Sequence, residues 1–122
     1  MSTMAERVAS FITVCRRRQR TLQGEDWSYF VGGEGPPVLL LTGGAGLAVA
    51  WVDLALALVK HRRVVAIDYP PIDSFVRFAD GVVELLDAEG IGSIDVVGQS
   101  MGTEVLSRRA PDRVLSLVLS GA

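Results

Sequence analysis

The chain has 122 residues, 49% of them hydrophobic and 21% charged, a balance that fits one folded domain and excludes a charge-dominated disordered chain. Twelve Lys and Arg against fourteen Asp and Glu leave a net charge of -2, so no strong overall field directs the chain to nucleic acid or to an anionic membrane surface. A single cysteine excludes an internal disulfide, and with a single histidine the sequence lacks the usual ligand sets of a metal centre.

Met4, Val8, Phe11, Ile12 and Cys15 recur at helical spacing and predict an amphipathic helix over about residues 4–19. Its charges follow the apolar stretch instead of preceding it, so it does not read as a secretion signal. No run reaches the roughly 20 apolar residues of a membrane span. The run Arg16-Arg17-Arg18-Gln19-Arg20 reads as a solvated surface, with contact to an anionic partner as its functional alternative. Cys15 sits among Val8, Phe11, Ile12 and Val14 and reads as a packed small hydrophobe rather than a reactive thiol. Its solitary state fits a reducing compartment, with the cytoplasm as the expected location. Residues 1–24 are taken as an N-terminal helical or extended segment and 25–122 as the domain that follows.

Trp27-Ser28-Tyr29-Phe30-Val31 has strand composition, and the turn residues 32–37 lead into the apolar run 38–41, which together predict a hairpin-like entry into a sheet. Strand and helix then alternate. A glycine loop covers 42–46 and a helix 51–61, with Trp51, Leu54, Ala55 and Leu58 on one face; a strand follows over 63–68. In the next helix Phe75, Phe78, Ala79, Val82, Leu85 and Leu86 repeat at three and four until Gly90 stops it. A strand at 94–97, a helix at about 101–109, a stop at Pro111 and a last strand at 114–119 complete the chain. Continuous apolar strands separated by helices predict an α/β fold, a mostly parallel sheet with helices on both faces.

The chemistry is concentrated in Gly98-Gln99-Ser100-Met101-Gly102, which joins the strand at 94–97 to a helix. A serine with glycine two residues to either side is the nucleophile-elbow pattern, in which a sharp strand-to-helix turn exposes the hydroxyl. In a parallel sheet the loops at the carboxyl ends of the strands converge on one rim, where ligands bind. There the backbone N–H groups of Met101 and of Gly44, in Thr42-Gly43-Gly44-Ala45-Gly46, form an oxyanion hole for a carbonyl attacked by Ser100. The glycine loop has neither GxGxxG spacing nor a following Lys-Ser/Thr pair, so no nucleotide is implied, and neither a cofactor nor a metal is expected.

With the elbow, the glycine loop, Val64-Val65-Ala66-Ile67-Asp68 and the approach Pro111-Asp112-Arg113-Val114 in order, residues 27–122 resemble the N-terminal half of the α/β-hydrolase fold superfamily. The short link Tyr69-Pro70-Pro71-Ile72-Asp73 and the helix containing Phe78-Ala79-Asp80-Gly81 are similar to the maspardin-like branch, whose members include binding partners as well as presumed hydrolases. The resemblance implies hydrolysis of a carboxylester or related acyl bond, with Ser100 as nucleophile and a small acyl compound as substrate. It also implies an acid and a histidine supplied after later strands, together with a cap segment, none of which these residues contain. The chain alone is therefore expected to be inactive.

His61 falls at the amino end of its strand, the rim opposite Ser100, and reads as a surface loop residue; Asp68 reads as a loop or capping residue. The apolar strand 114–119 would expose an unpaired edge, which points to self-association or to completion by a separate C-terminal half, with no nucleic acid and no membrane as partner. A non-catalytic interaction module of the same shape is the alternative to a serine hydrolase, and a gene fragment without an independent role is the third reading.

Overall fold

The computed structural model describes residues 3–41, 51–68, 70, 74–98 and 101–119. The predicted loop 42–46, most of the link 69–73, and Gln99 and Ser100 lie outside the described residues.

Helix α1 spans Met4–Val14. The Thr3-x-x-Glu6 pattern closes its start as a capping box, with the Glu6 amide donating to Thr3 Oγ1 at 3.1 Å. Phe11 is its buried anchor, with its ring 5.0 Å from that of Phe30. The helix is shorter than the expected 4–19, because Arg16–Leu22 is strand β1. The arginine run explains the switch. In a helix, Arg16 and Arg20, or Arg17 and Arg20, would stack like charges at four- and three-residue spacing, whereas a strand sends successive side chains to opposite faces.

Strand β2 (Glu25–Gly32) pairs antiparallel with β1 through a two-residue turn, Gln23 and Gly24, both at positive φ. The hairpin is thus β1–β2, not the expected pairing of 27–31 with 38–41. On its other side β2 lies antiparallel to β4 (Arg63–Asp68), and β3 (Pro37–Leu41) runs parallel to β4 and to β5 (Ile94–Gly98). With β6 (Val114–Leu119) parallel to β5, the strand order is β1-β2-β4-β3-β5-β6. The expected α/β architecture, mostly parallel with helices on both faces, is the one observed.

Helices α1 and α2 (Val52–Leu58) cover one face over Phe30, Val38, Leu40, Val64 and Ala66. The other face packs Trp27, Leu39, Leu41, Val65, Ile67 and Val96 against α3 (Phe75–Ala88) and α4 (Met101–Arg109). Successive residues of β3 and β4 enter opposite layers, so these strands are apolar throughout rather than alternating. Phe75, expected on the inward face of α3, is half exposed, and the buried stripe begins at Phe78. Gly90, at φ +71°, follows the end of α3.

The arginine run is only partly the solvated surface expected. Glu89, at the C-terminal end of α3, is buried to 1% side-chain exposure and collects donors from distant elements. Arg18 Nη1 reaches its two oxygens at 2.6 and 2.8 Å, Arg63 Nη2 reaches Oε1 at 2.8 Å, and the Tyr29 hydroxyl donates to Oε2 at 2.7 Å. Arg20 Nε in turn donates to the Tyr29 hydroxyl at 2.8 Å. Burial alone would raise the Glu89 pKa, but the Tyr29 and Arg18 hydrogen bonds and the charges of Arg18 and Arg63 outweigh it and hold the carboxyl below its usual value. Burial, with donation to Glu89, pushes the Tyr29 hydroxyl up.

Because the folded state holds Glu89 ionised more tightly than the unfolded state does, the clasp stabilises fully above the ordinary carboxylate pKa of about 4.3 and is lost as pH falls through the lower folded value. Glu89→Gln is expected to cost about 2 kcal/mol at pH 7, the scale of hydrogen bonds to a charged group. Urea unfolding at stepped pH should show wild type converging on the variant under acid conditions. Parallel curves at every pH would contradict this assignment.

Candidate functional site

The site begins with the register of two neighbouring parallel strands. Leu41 lies opposite Gly98, the last residues of β3 and β5, so the chain leaves the sheet beside itself at both points, with the strands about 4.8 Å apart. After Gly98 only two residues intervene before α4 opens at Met101. Strand, tight connection and helix are therefore in the arrangement that the serine motif requires. Of the proposed site residues, Ser100 and Gly44 lie outside the described residues, Gly98 ends β5, and Met101 and Gly102 form the start of α4. The Met101 amide belongs to the first helical turn, whose N–H groups have no intrahelical acceptor and carry the positive end of the helix dipole.

Gly98 is required by close approach. A Cβ built on it would collide with Thr103 Oγ1 and lie 2.7 Å from Thr103 Cγ2, well inside contact distance. Thr103 fills the space that a side chain at 98 would take and is fully buried, one turn before the equally buried Leu106. The two set the inward face of α4 against the sheet. Among the described residues the Thr103 hydroxyl finds no hydrogen-bond partner. Thr103 was not legible as a site residue: a threonine in the first turn of a mostly polar helix carries no signal of what it touches.

Among the described residues, few other groups stand at this rim. Asp68 ends β4, and α3 opens with Phe75 and Val76, 50% and 45% exposed, at the same side because α3 runs back against the strands. Arg109 clamps α4 to α3 through Asp80, with Nε 3.0 Å from Oδ1 and Nη2 3.2 Å from Oδ2. That pair is partly exposed and contributes little beyond orientation.

His61 lies two residues before β4, exposed, its amide bonded to the Leu58 carbonyl at 3.0 Å. It therefore occupies the amino rim, about 20 Å by strand length from the carboxyl rim, beyond reach of a hydroxyl there. The displaced pKa values also belong elsewhere. At the amino end of β5 the Asp95 carboxyl is lowered by the Ser116 hydroxyl at 2.7 Å, against the effect of burial, and then by Arg62 Nη2 at 2.7 Å. Cys15 is wholly buried and its thiol is pushed up by that burial, as befits a packed residue. Among the described residues no three His, Cys, Asp or Glu side chains gather as a metal site, and no helix is long and apolar enough to cross a membrane.

The sequence model of the alpha/beta hydrolase fold matches residues 36–122. A relative, (E)-2-((N-methylformamido)methylene)succinate hydrolase of Acinetobacter baylyi, is 30% identical over an alignment of 106 residues covering 76% of this chain and 40% of that protein. The epoxide hydrolase VrEH1 of Vigna radiata superposes with a TM-score of 0.79 at 25% identity, over 88% of this chain and 40% of its own. The carboxylesterase CesB of Bacillus subtilis has the same fold, with a TM-score of 0.80 at 19% identity over 95% of this chain and 46% of its own. The chain thus spans less than half the length of each of these proteins. The family-model match over residues 36–122 and the superposition of the sheet on these structures agree, and the chain belongs to the α/β-hydrolase fold family.

Proposed function

We propose that the chain carries the nucleophile half of a serine hydrolase acting on a carboxylester or related acyl bond, with Ser100 as nucleophile and the amides of Gly44 and Met101 as oxyanion donors. The observation that supports this most is the two-residue passage from Gly98 to Met101 beside the end of β3. In the reaction, Ser100 Oγ bonds to the acyl carbon as its proton passes to a base. The carbonyl oxygen gains negative charge toward the two amides, and collapse expels the alcohol, which takes up the proton. Water then attacks the acyl-serine by the same sequence and releases the acid.

The base is not His61, and the 122 residues hold no second histidine. In this reading the acid and histidine are contributed by polypeptide outside these residues, and the chain on its own does not turn over. We assign the docking of that C-terminal half to β6, where Leu115, Leu117 and Val118 are 67%, 37% and 54% exposed. The same exposed edge favours the second reading, a non-catalytic interaction module that self-associates or binds another protein through 114–119. The maspardin-like character of the link at 69–73 and a cytoplasmic location, suggested by the solitary buried Cys15, belong to this proposal as well.

Prolonged treatment of the 122-residue chain with a fluorophosphonate at mildly alkaline pH, followed by peptide mapping, tests the chemistry. Oxyanion stabilisation and binding alone retain about 10³ to 10⁴ of acceleration when a triad member is missing. Label should therefore fall on Ser100 in preference to exposed serines such as Ser116, and Ser100→Ala should abolish it. Urea unfolding of the variant, measured separately, checks that alanine at 100 leaves the fold in place. Label spread evenly over the serines of a folded chain would eliminate the catalytic reading and leave the interaction module.

A further inference from the structure

The two outer strands of the described sheet differ sharply in charge. Strand β6, from Val114 to Leu119, has no ionised side chain, whereas β1 carries Arg16, Arg17, Arg18 and Arg20 in five consecutive positions of a chain whose net charge is -2. Six of the seven β1 residues are exposed, and the strand pairs in unbroken register from Arg16 opposite Val31 to Leu22 opposite Glu25. Its outward side therefore offers a regular row of backbone donors and acceptors. The facing stretch Trp27–Val31 contributes no acidic residue. The carboxylate that serves Arg18, Arg20 and Arg63 is Glu89, whose side chain is 1% exposed, so solvent meets the guanidinium groups and not their counter-charge. Arg18 and Arg20 remain 46% and 42% exposed. Arg17 bonds only the Ser28 hydroxyl, and Arg16 has no hydrogen bond or ion pair among the described residues.

We infer that β1 accepts an acidic, extended segment of another polypeptide as an added strand. Strand addition uses the free backbone row for affinity and alternate side chains for specificity. Here alternate side chains of the incoming strand meet Arg16, Arg18 and Arg20 on the α3 face and Arg17 on the α1 face. A second β1 is excluded as occupant because arginine would oppose arginine along the pair. The β6 strand of a second copy brings no acid to neutralise the row. The unpaired backbone ladder favours a peptide over a polyphosphate, which has no matching amides. Register is set at the hairpin end, where an open cleft of about 250 Å³ is lined by Gln19, Arg20, Thr21 and Asp26. Asp26 repels an acid there, so the acidic residues fall opposite Arg16 to Arg18 and a neutral residue enters the cleft.

Fluorescence anisotropy with a heptapeptide alternating glutamate and threonine tests this on the intact chain. The acidic peptide should bind at least tenfold more tightly than its lysine counterpart and than the same peptide N-methylated at alternate amides. The double variant Arg16→Glu, Arg17→Glu, which leaves the Glu89 contacts in place, should weaken binding at least tenfold. No measurable binding of the acidic peptide by folded protein would overturn the inference. So would equal binding of the N-methylated form or displacement by heparin without any effect of N-methylation, either of which would make β1 a general polyanion surface instead of a strand acceptor.

Discussion

Thr103 lies against the bare α-carbon of Gly98, and this contact governs how sharply the chain turns from β5 into α4. A strand and the helix that follows it can be joined by two residues only if the helix packs back over the end of its own strand. The first inward-facing residue of the helix then meets the last residue of the strand, and one of the two must be small. Here the strand gives way and the helix keeps a β-branched side chain. The helix start is thereby fixed beside the end of β3, where Leu41 and Gly98 lie opposite each other. The geometry at this rim, the direction of the Met101 amide included, depends on that contact.

The fold was legible wherever local pattern and tertiary fate agree. Strand β4 occupies the apolar run 63–68 because both faces of that run are buried, under α1 and α2 on one side and α3 and α4 on the other. Helix α3 follows the spacing of Phe78, Val82 and Leu85, and the serine motif fell where a strand gives way to a helix. Illegible features were those decided by distant residues. Arg16 to Arg20 carry no period, so only their pairing with Val31 to Trp27 makes them strand. The insertion of β4 between β2 and β3 is a choice of crossover that neither flanking strand announces.

Electrostatics follow the same division between near and far. Glu89 draws partners 26, 60 and 71 residues away in sequence, tying the first hairpin to the end of α3 and the start of β4. Burying one carboxylate among several arginines anchors an otherwise repulsive strand to the sheet while leaving positive charge outward. On the opposite side β6 shows apolar surface without charge, and an irregularity in its register between Ile94 and Asp95 is the modest protection it has against further pairing. The sheet thus has one positively charged edge and one apolar edge, with the strand that leads into the serine motif nearer the apolar one.

The most direct test of the central contact is a double-mutant cycle in urea unfolding with Gly98→Ala and Thr103→Gly. Gly98→Ala alone is expected to cost about 1–3 kcal/mol through overpacking, and Thr103→Gly alone carries the helical glycine penalty of about 1 kcal/mol together with its lost packing. If the two residues compete for one space, the double variant recovers at least about 1 kcal/mol relative to the sum of the singles. Strict additivity would mean that Thr103 does not occupy the place of the missing Cβ, and the turn would then owe its sharpness to something else.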